Sequence, residues 1–403
     1  MQSHDIAHFD LANPPEGFRN DPFPFYASLL ANAPVLRQPD GSVLLTRHAD
    51  LDRIYRDTQR FASDKTEVFA PKFGRDSALY AHHTTSLVFN DPPLHTRVRK
   101  IMTAALTPRA IARMEPGLIA AVEGLLDQMA GCAQVDLIHD FAAAIPIEII
   151  GNLLDVPHAE RGPLRDWSLA ILGALEPALS AEALARGNRA VSEFLTYLED
   201  LVARRRAHPG DPETDVLTRL IAGSADGGQL SEPELLHNCI FILNAGHETT
   251  TNLIGNTLAL LHDHPQARAD LLAMPELIAP AIEESLRYLS PNQFGNRETR
   301  EDIEIGGMQI AAGTNLHLCI GAANRDPELF DRPAQFDIRR HPNRHLAFAG
   351  GPHVCVGLTL ARLEGRVAVS RLLARFPEYR LLEGRQSGGR IRFRGYAALP
   401  AAL

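Results

Sequence analysis

No run in these 403 residues approaches eighteen consecutive apolar side chains, so no segment reads as a membrane span. The stretch from Met1 to Leu30 is polar and broken by proline. It lacks the basic start and apolar stretch of a signal peptide, so a cytoplasmic location is expected. Positive charge is scarce: 40 Lys and Arg stand against 49 Asp and Glu, a formal net charge of −9. That balance favours solubility and argues against a nucleic-acid groove, which needs a concentrated basic face. Only four cysteines occur, Cys132, Cys239, Cys319 and Cys355, far apart and in no C-x-x-C or His-x-His arrangement. The usual zinc and iron–sulfur patterns are therefore missing, and Cys132, Cys239 and Cys319 read as small buried hydrophobes. Internal repeats and low-complexity tracts are also absent. What is present is enough apolar material, 45% of residues, to bury a large core.

The pattern along the chain is chiefly helical. After a short helix near the Pro-Phe-Pro at 22–24, the Asp40-Gly41 turn precedes a strand at Val43 to Thr46, and a helix follows from about Ala49. Residues 62–90 carry Gly, Pro, Thr and His without a clean period and read as a long irregular loop. Apolar positions three and four apart mark helices at Ala112 to Met129 and Val191 to His208. The longest helical pattern, Leu230 to His262, follows Ser231-Glu-Pro, a capping serine with proline in the first turn. Strands appear between Arg297 and Leu318, with Gly306-Gly307 turning Ile303-Ile305 into Met308-Ile310. A loop-rich meander, a last helix from about Val356 to Phe376 and a hairpin around Gly388 to Leu399 complete the chain.

One cysteine has distinctive neighbours: Phe348-Ala-Gly-Gly-Pro-His-Val-Cys355-Val-Gly357. Cys355 stands in a glycine-rich loop just before an apolar helix, where backbone N–H groups favour a thiolate. Gly351 permits a tight turn, and Gly357 leaves room for a flat macrocycle. Far upstream, Ala245-Gly-His-Glu248-Thr249-Thr250 lies mid-way along the longest helix. An acid followed by an alcohol is a proton-delivery arrangement: Thr249 can hold a water while Glu248 relays protons from solvent, and Gly246 leaves space beside them. On its own such a segment is an ordinary solvated stretch, as Glu284-Ser-Leu-Arg287 is an ordinary i, i+3 ion pair.

Together these segments resemble the cytochrome P-450 family. The cysteine segment matches that family's haem-binding loop, Phe-x-x-Gly-x-x-x-Cys-x-Gly, at all four fixed places, and the likeness runs from about Asp21 to Tyr396. The resemblance implies a mainly α fold with small β-sheets: a single triangular α-rich domain plus a β-rich side, over 1–403. It has an N-terminal extension at 1–20, a lid loop at 62–90, and a meander with the cysteine loop at 322–357. It implies haem b (iron protoporphyrin IX) with Cys355 as the metal ligand, whose thiolate pushes electron density onto the iron. Phe348, Gly351, Gly357 and Ala245 would contact the cofactor. His95, Arg99, Arg297 and His353 match the family's partners for the haem propionates. Glu248, Thr249 and Gly246 match its oxygen-activating segment. Glu284 and Arg287 match a buried pair that locks the meander. Relatives often add an arginine in a Pro-x-x-Phe segment, but here it reads Pro333-Ala-Gln335-Phe336, which leaves Gln335 or Arg340 as the third partner.

The function so implied is a haem-thiolate monooxygenase that inserts one atom of O2 into a medium-sized organic molecule, by hydroxylation or epoxidation, as in secondary metabolism. No flavin or ferredoxin module is attached, so electrons would come from a separate ferredoxin and ferredoxin reductase. A basic docking face would draw on Arg99, Lys100, Arg109, Arg113, Arg344 and Arg362. Nothing requires more than a monomer. Helix geometry puts Phe241, Asn244 and Ala245 on the face of Thr249, so Asn244 is expected to hydrogen-bond an oxygenated substrate or, alternatively, a helix carbonyl or water. Asn292, Gln293, Phe294 and Tyr396 are further substrate candidates. Lys65, Lys72 and Arg75 are lid charges that could recognise an acid. A peroxygenase or oxidative-coupling enzyme, and a haem sensor without turnover, are the alternatives. The acid–alcohol pair favours O2.

Overall fold

The computed structural model describes residue 6 and residues 9–212, 215–223 and 228–403, apart from the side chain at 105. Helices dominate, and the organising element is the long helix Glu232–Asp263. It starts with a capping box: Ser231 Oγ accepts the Glu234 N–H, and Glu234 returns a carboxylate oxygen to Ser231 N at 2.8 Å. At 1.5 Å per residue it spans about 48 Å. From Leu235 to Leu261 it is buried on nearly every side, including Asn238, Asn244 and Thr257, so it runs through the molecule rather than over it. Helices Ala144–Leu153, Leu164–Gly173, Ala181–Ala207 and Leu358–Arg375 pack around it.

The β-rich side is small. Strands Val35–Arg37, Val43–Leu45, Asn315–Cys319, Phe294–Thr299 and Phe61–Ala62 form a sheet in that spatial order. Within it Val43–Leu45 runs parallel to Asn315–Cys319. The turn at Gly306 and Gly307, both at positive φ, joins Ile303–Ile305 to Met308–Ile310 as the sequence pattern predicts. The C-terminal hairpin pairs Gln386–Ser387 with Tyr396–Ala398. Its tip lies along residues 291–293, with Gln293 N donating to Arg392 O and Arg394 N to Pro291 O, both at 2.8 Å.

Three sequence expectations are corrected here. Cys132 is exposed rather than buried, whereas Cys239 and Cys319 are buried as expected. Residues 62–90 are not one irregular loop: helices Thr66–Phe73 and Ala78–Thr85 occupy most of it. Gly74 at φ +85° divides them, and Ser77 Oγ caps the second through Tyr80 N. Each is only eight residues long; the first buries Phe69 and Phe73 and the second Leu79, His82 and His83, which leaves no clean amphipathic period to read. The N-terminal extension at 1–20 lies in part outside the described residues. Its remainder is packed, with Phe9, Leu11 and Phe18 buried against Phe25 and Tyr26.

Buried ion pairing ties the meander to the helix Ile278–Tyr288. Glu284 and Arg287 have fully buried side chains and meet at 2.7 and 2.8 Å. Arg287 also donates to the carbonyls of Asn324, Pro333 and Gln335. Arg340 Nε reaches Glu284 at 3.2 Å, so Arg340 is the third partner, and Gln335 contributes only its carbonyl. No helix among the described residues is long and apolar enough to cross a membrane.

Candidate functional site

A buried cavity of about 340 Å³ lies between the long helix and the loop before Leu358–Arg375. Cys355 is on its wall. The loop is shaped by Ala349 and Gly351 at positive φ, and Cys355 N donates to Phe348 O at 3.0 Å. A Cβ on Gly351 would strike the backbone of Tyr55 and Arg56, so close approach as well as φ demands glycine there. A Cβ on Gly357 would meet only Cys355 Sγ, at 4.0 Å, so space is open beside the sulfur. Burial pushes the Cys355 thiol up, against the lowering effects of the Gly357 N–H, Arg99 and Arg362. Helix-start N–H groups alone therefore do not make a thiolate here; a bound metal ion would reverse that balance.

His95, Arg99, Arg297 and His353 converge on the cavity. The two imidazoles stack with centroids 3.8 Å apart. Burial holds both well below the usual histidine range, His95 at about 4 and His353 at about 2. His353 Nε2 meets Ser63 Oγ at 3.0 Å, and Arg99 Nη2 donates to Val354 O at 2.7 Å. His95 Nε2 and Arg297 Nε and Nη2 are buried without partners. Orphaned donors of this kind are costly unless an acceptor arrives. Two carboxylates at this wall, with a flat apolar ring over Gly357 and Phe348, satisfy the chemistry, so the residues present fit a haem.

The opposite wall is the long helix, through Phe241, Asn244, Ala245, Gly246 and Thr249. Thr249 lines the cavity and its Oγ1 donates to Ala245 O at 2.6 Å, which leaves the oxygen free to accept. Gly246 has a packing reason to be glycine that the sequence reading missed: a Cβ would stand 2.6 Å from Ile150 Cδ1. Glu248 is not on the cavity lining. Both its oxygens accept Arg390 Nη1 at 2.6 Å, and Arg390 Nη2 donates to Leu169 O at 3.0 Å. Burial outweighs Arg390 and pushes the Glu248 carboxyl up to about 7. His247 is buried, a packing residue rather than a surface one. Asn244 is also buried, and both its amide atoms lack a partner, so the alternative of a helix carbonyl is not realised.

Asn292 and Phe294 line the cavity, but Gln293 and Tyr396 do not. Side chains alternate along the extended segment, which turns Gln293 to Tyr26 (3.1 Å) and the Ser290 carbonyl (2.6 Å). Tyr396 pairs with Ser387 in the hairpin stem, and Arg392 and Phe393 from the tip line the wall instead. The lid charges are engaged: Lys65 with Asn315 Oδ1, Lys72 with Glu176 O, and Arg75 with Glu67. Of the expected basic face, Arg99 turns to the cavity and Arg362 pairs with Glu283 at 2.7 Å, while Lys100, Arg109, Arg113 and Arg344 are exposed.

A chiefly helical fold around a cavity with a cysteine on one wall and an alcohol on the other is that of a haem-thiolate oxygenase. The chain belongs to the cytochrome P450 family and is a P450 monooxygenase, an enzyme whose cofactor is haem b. A family model described as Cytochrome P450 matches residues 175–273 and 267–378. The chain is 36% identical over 373 residues to the biotin biosynthesis cytochrome P450 of Bacillus subtilis (strain 168), covering 91% of this chain and 92% of that one. It is 39% identical over 372 residues to a vitamin D(3) 25-hydroxylase of Pseudonocardia autotrophica, covering 91% and 89%. The crystal structure of P450BioI with an acyl carrier protein ligated to hexadec-9Z-enoic acid superposes with a TM-score of 0.90 at 34% identity, covering 96% of this chain and 99% of that one.

Proposed function

We propose that Cys355 is the axial ligand of the haem, that His95, Arg99, Arg297 and His353 hold its propionates, and that the enzyme hydroxylates or epoxidises a medium-sized organic molecule, as in secondary metabolism. The observation that carries this reading is the set of orphaned donors at His95 and Arg297 on the wall that also bears Cys355. When bound, haem supplies the redox chemistry that activates O2. The protein supplies position and protons. Thr249 offers hydroxyl lone pairs at the opposite wall, where a water can be held. Glu248 titrates near neutrality and can release a proton inward when Arg390 lets it turn. Asn244 presents an unpaired amide to the bound molecule, which favours substrates carrying a carbonyl or hydroxyl.

Each O2 consumed requires two electrons and two protons, one oxygen atom leaving as water. The electrons come from a separate ferredoxin and its reductase, docking at the exposed Lys100, Arg109, Arg113 and Arg344. The relatives' names span vitamin D(3) and a carrier-bound acyl chain, so membership of the family leaves the substrate to the cavity's own chemistry. The test is reconstitution with a ferredoxin–reductase pair, NADPH and 18O2 over a ligand panel. One labelled oxygen per product with matching NADPH use supports the reading; product formed only with peroxide would replace it.

A further inference from the structure

The cavity carries more positive charge than the haem accounts for. Arg99 and Arg297 already match two propionates, yet a third arginine, Arg392, lines the same cavity from the hairpin tip. Its backbone is fixed: N–H donates to Glu176 Oε1 at 3.1 Å, and its carbonyl accepts Gln293 N–H at 2.8 Å. Its guanidinium makes no hydrogen bond or ion pair with the described residues. Glu176 is the near carboxylate, but its two oxygens accept the N–H groups of Ile391 and Arg392. The other acid on the lining, Glu364, is pushed up to about 8 by burial and is protonated at neutral pH.

Tyr55 on the same lining is also near, but burial pushes its phenol up to about 12, so it stays neutral, and the remaining ionisable neighbours are bases. Lys65, Lys72, His83 and His317 are all held low by burial, with the positive field of Arg392 a further cause in each. Lys72 donates to the Glu176 carbonyl and Lys65 to Asn315; neither ammonium makes an ion pair with the described residues, although Glu298 and Asp91 act on Lys65 and Glu176 on Lys72. Beyond this basic corner the lining becomes apolar, through Phe89, Leu172, Leu175, Phe241 and Phe393. A five-donor planar fork, desolvated on the lining of this cavity and with no hydrogen-bond acceptor among the described residues, is an incomplete site.

We propose that Arg392 binds the carboxylate of an amphipathic organic acid, whose apolar body crosses the cavity toward Ala245 and Thr249. The inference rests on the reading of this cavity as the haem and substrate pocket. Guanidinium matches carboxylate geometry through two parallel N–H bonds, which lysine cannot reproduce. One fixed end also sets which carbon lies beside the long helix, so oxidation falls at a constant distance from the carboxyl carbon along a homologous series.

The test uses the haem-loaded protein and calorimetric titration at pH 7 with octanoic, dodecanoic and hexadecanoic acids and their methyl esters. In wild type the best-bound acid is held about tenfold or more tighter than its ester, the scale of a charge-assisted pair in a dry site. Arg392→Gln abolishes that preference, and Arg392→Lys restores part of it. Equal affinity for acid and ester in wild type, or a preference that survives Arg392→Gln, overturns the proposal. Loss of haem from Arg392→Gln also overturns it, since the residue would then serve a propionate. Haem content and the spectrum of the reduced carbon monoxide complex report on the haem reading separately, so the two can fail independently.

Discussion

Glu248 and Arg390, 142 residues apart, are joined through both carboxylate oxygens at 2.6 Å beside the cavity wall. Burial raises the carboxyl to about 7 and Arg390 opposes it. A folded-state value above the ordinary carboxylate range means the proton stabilises the fold: that contribution is complete below about pH 4.5 and lost as pH rises through 7. Removing Arg390 takes away a lowering influence. The infrared carbonyl band of Glu248, identified by its loss in Glu248→Gln, is expected to titrate near pH 7 in wild type and at higher pH in Arg390→Gln. An unchanged midpoint would show that the ion pair does not govern this acid.

Thr249 is spent as a donor on Ala245 O, so its role at the cavity is that of an acceptor. Thr249→Ala is expected to lower product formed per NADPH by roughly tenfold or more, the usual scale of a positioned proton path. Thr249→Ser retains most of the coupling, and ligand affinity measured by titration changes little in either.

Asn244 carries two unsatisfied amide atoms in a buried place. Asn244→Leu is expected to stabilise the ligand-free protein by about 1–3 kcal/mol in denaturant titration, because the desolvation cost disappears. The same variant loses affinity for ligands bearing a carbonyl or hydroxyl but keeps its affinity for hydrocarbons. Equal losses across both classes would contradict the hydrogen-bonding role.

The buried Glu284–Arg287 pair, with Arg340 as third member, predicts an asymmetric response. Glu284→Ala leaves two arginines facing a buried hole and should cost about 3–5 kcal/mol, with loss of bound haem. Arg340→Gln, nearer the surface, should cost less than Arg287→Ala when urea midpoints are compared.

Local spacing made some of this legible from residues alone. The cysteine loop is a contiguous segment that carries its own meaning, whereas the acid–alcohol step and the i, i+3 pair of Glu284 and Arg287 gained theirs only beside it, through the family resemblance. The strands at 303–310 were legible because two glycines force their turn. The placement of Arg390 and Arg392 was not, since Arg390 meets Glu248 on the long helix, Arg392 is anchored by its backbone at Glu176, and nothing in a hairpin tip distinguishes an inward arginine from a solvated one. Gln293 was misplaced by one step of strand alternation, and Tyr396 by the reach of the hairpin tip. The helices within 62–90 were hidden because short helices buried on several faces carry no stripe.

The central claim is that Cys355 holds the haem as a thiolate, and the absorption spectrum of dithionite-reduced protein under carbon monoxide tests it most directly. Wild type is expected to give the red-shifted Soret band of thiolate-ligated haem, and Cys355→His to lose that band while still binding carbon monoxide. A wild-type spectrum of histidine-ligated haem, or a red-shifted band that survives in Cys355→His, would contradict the account.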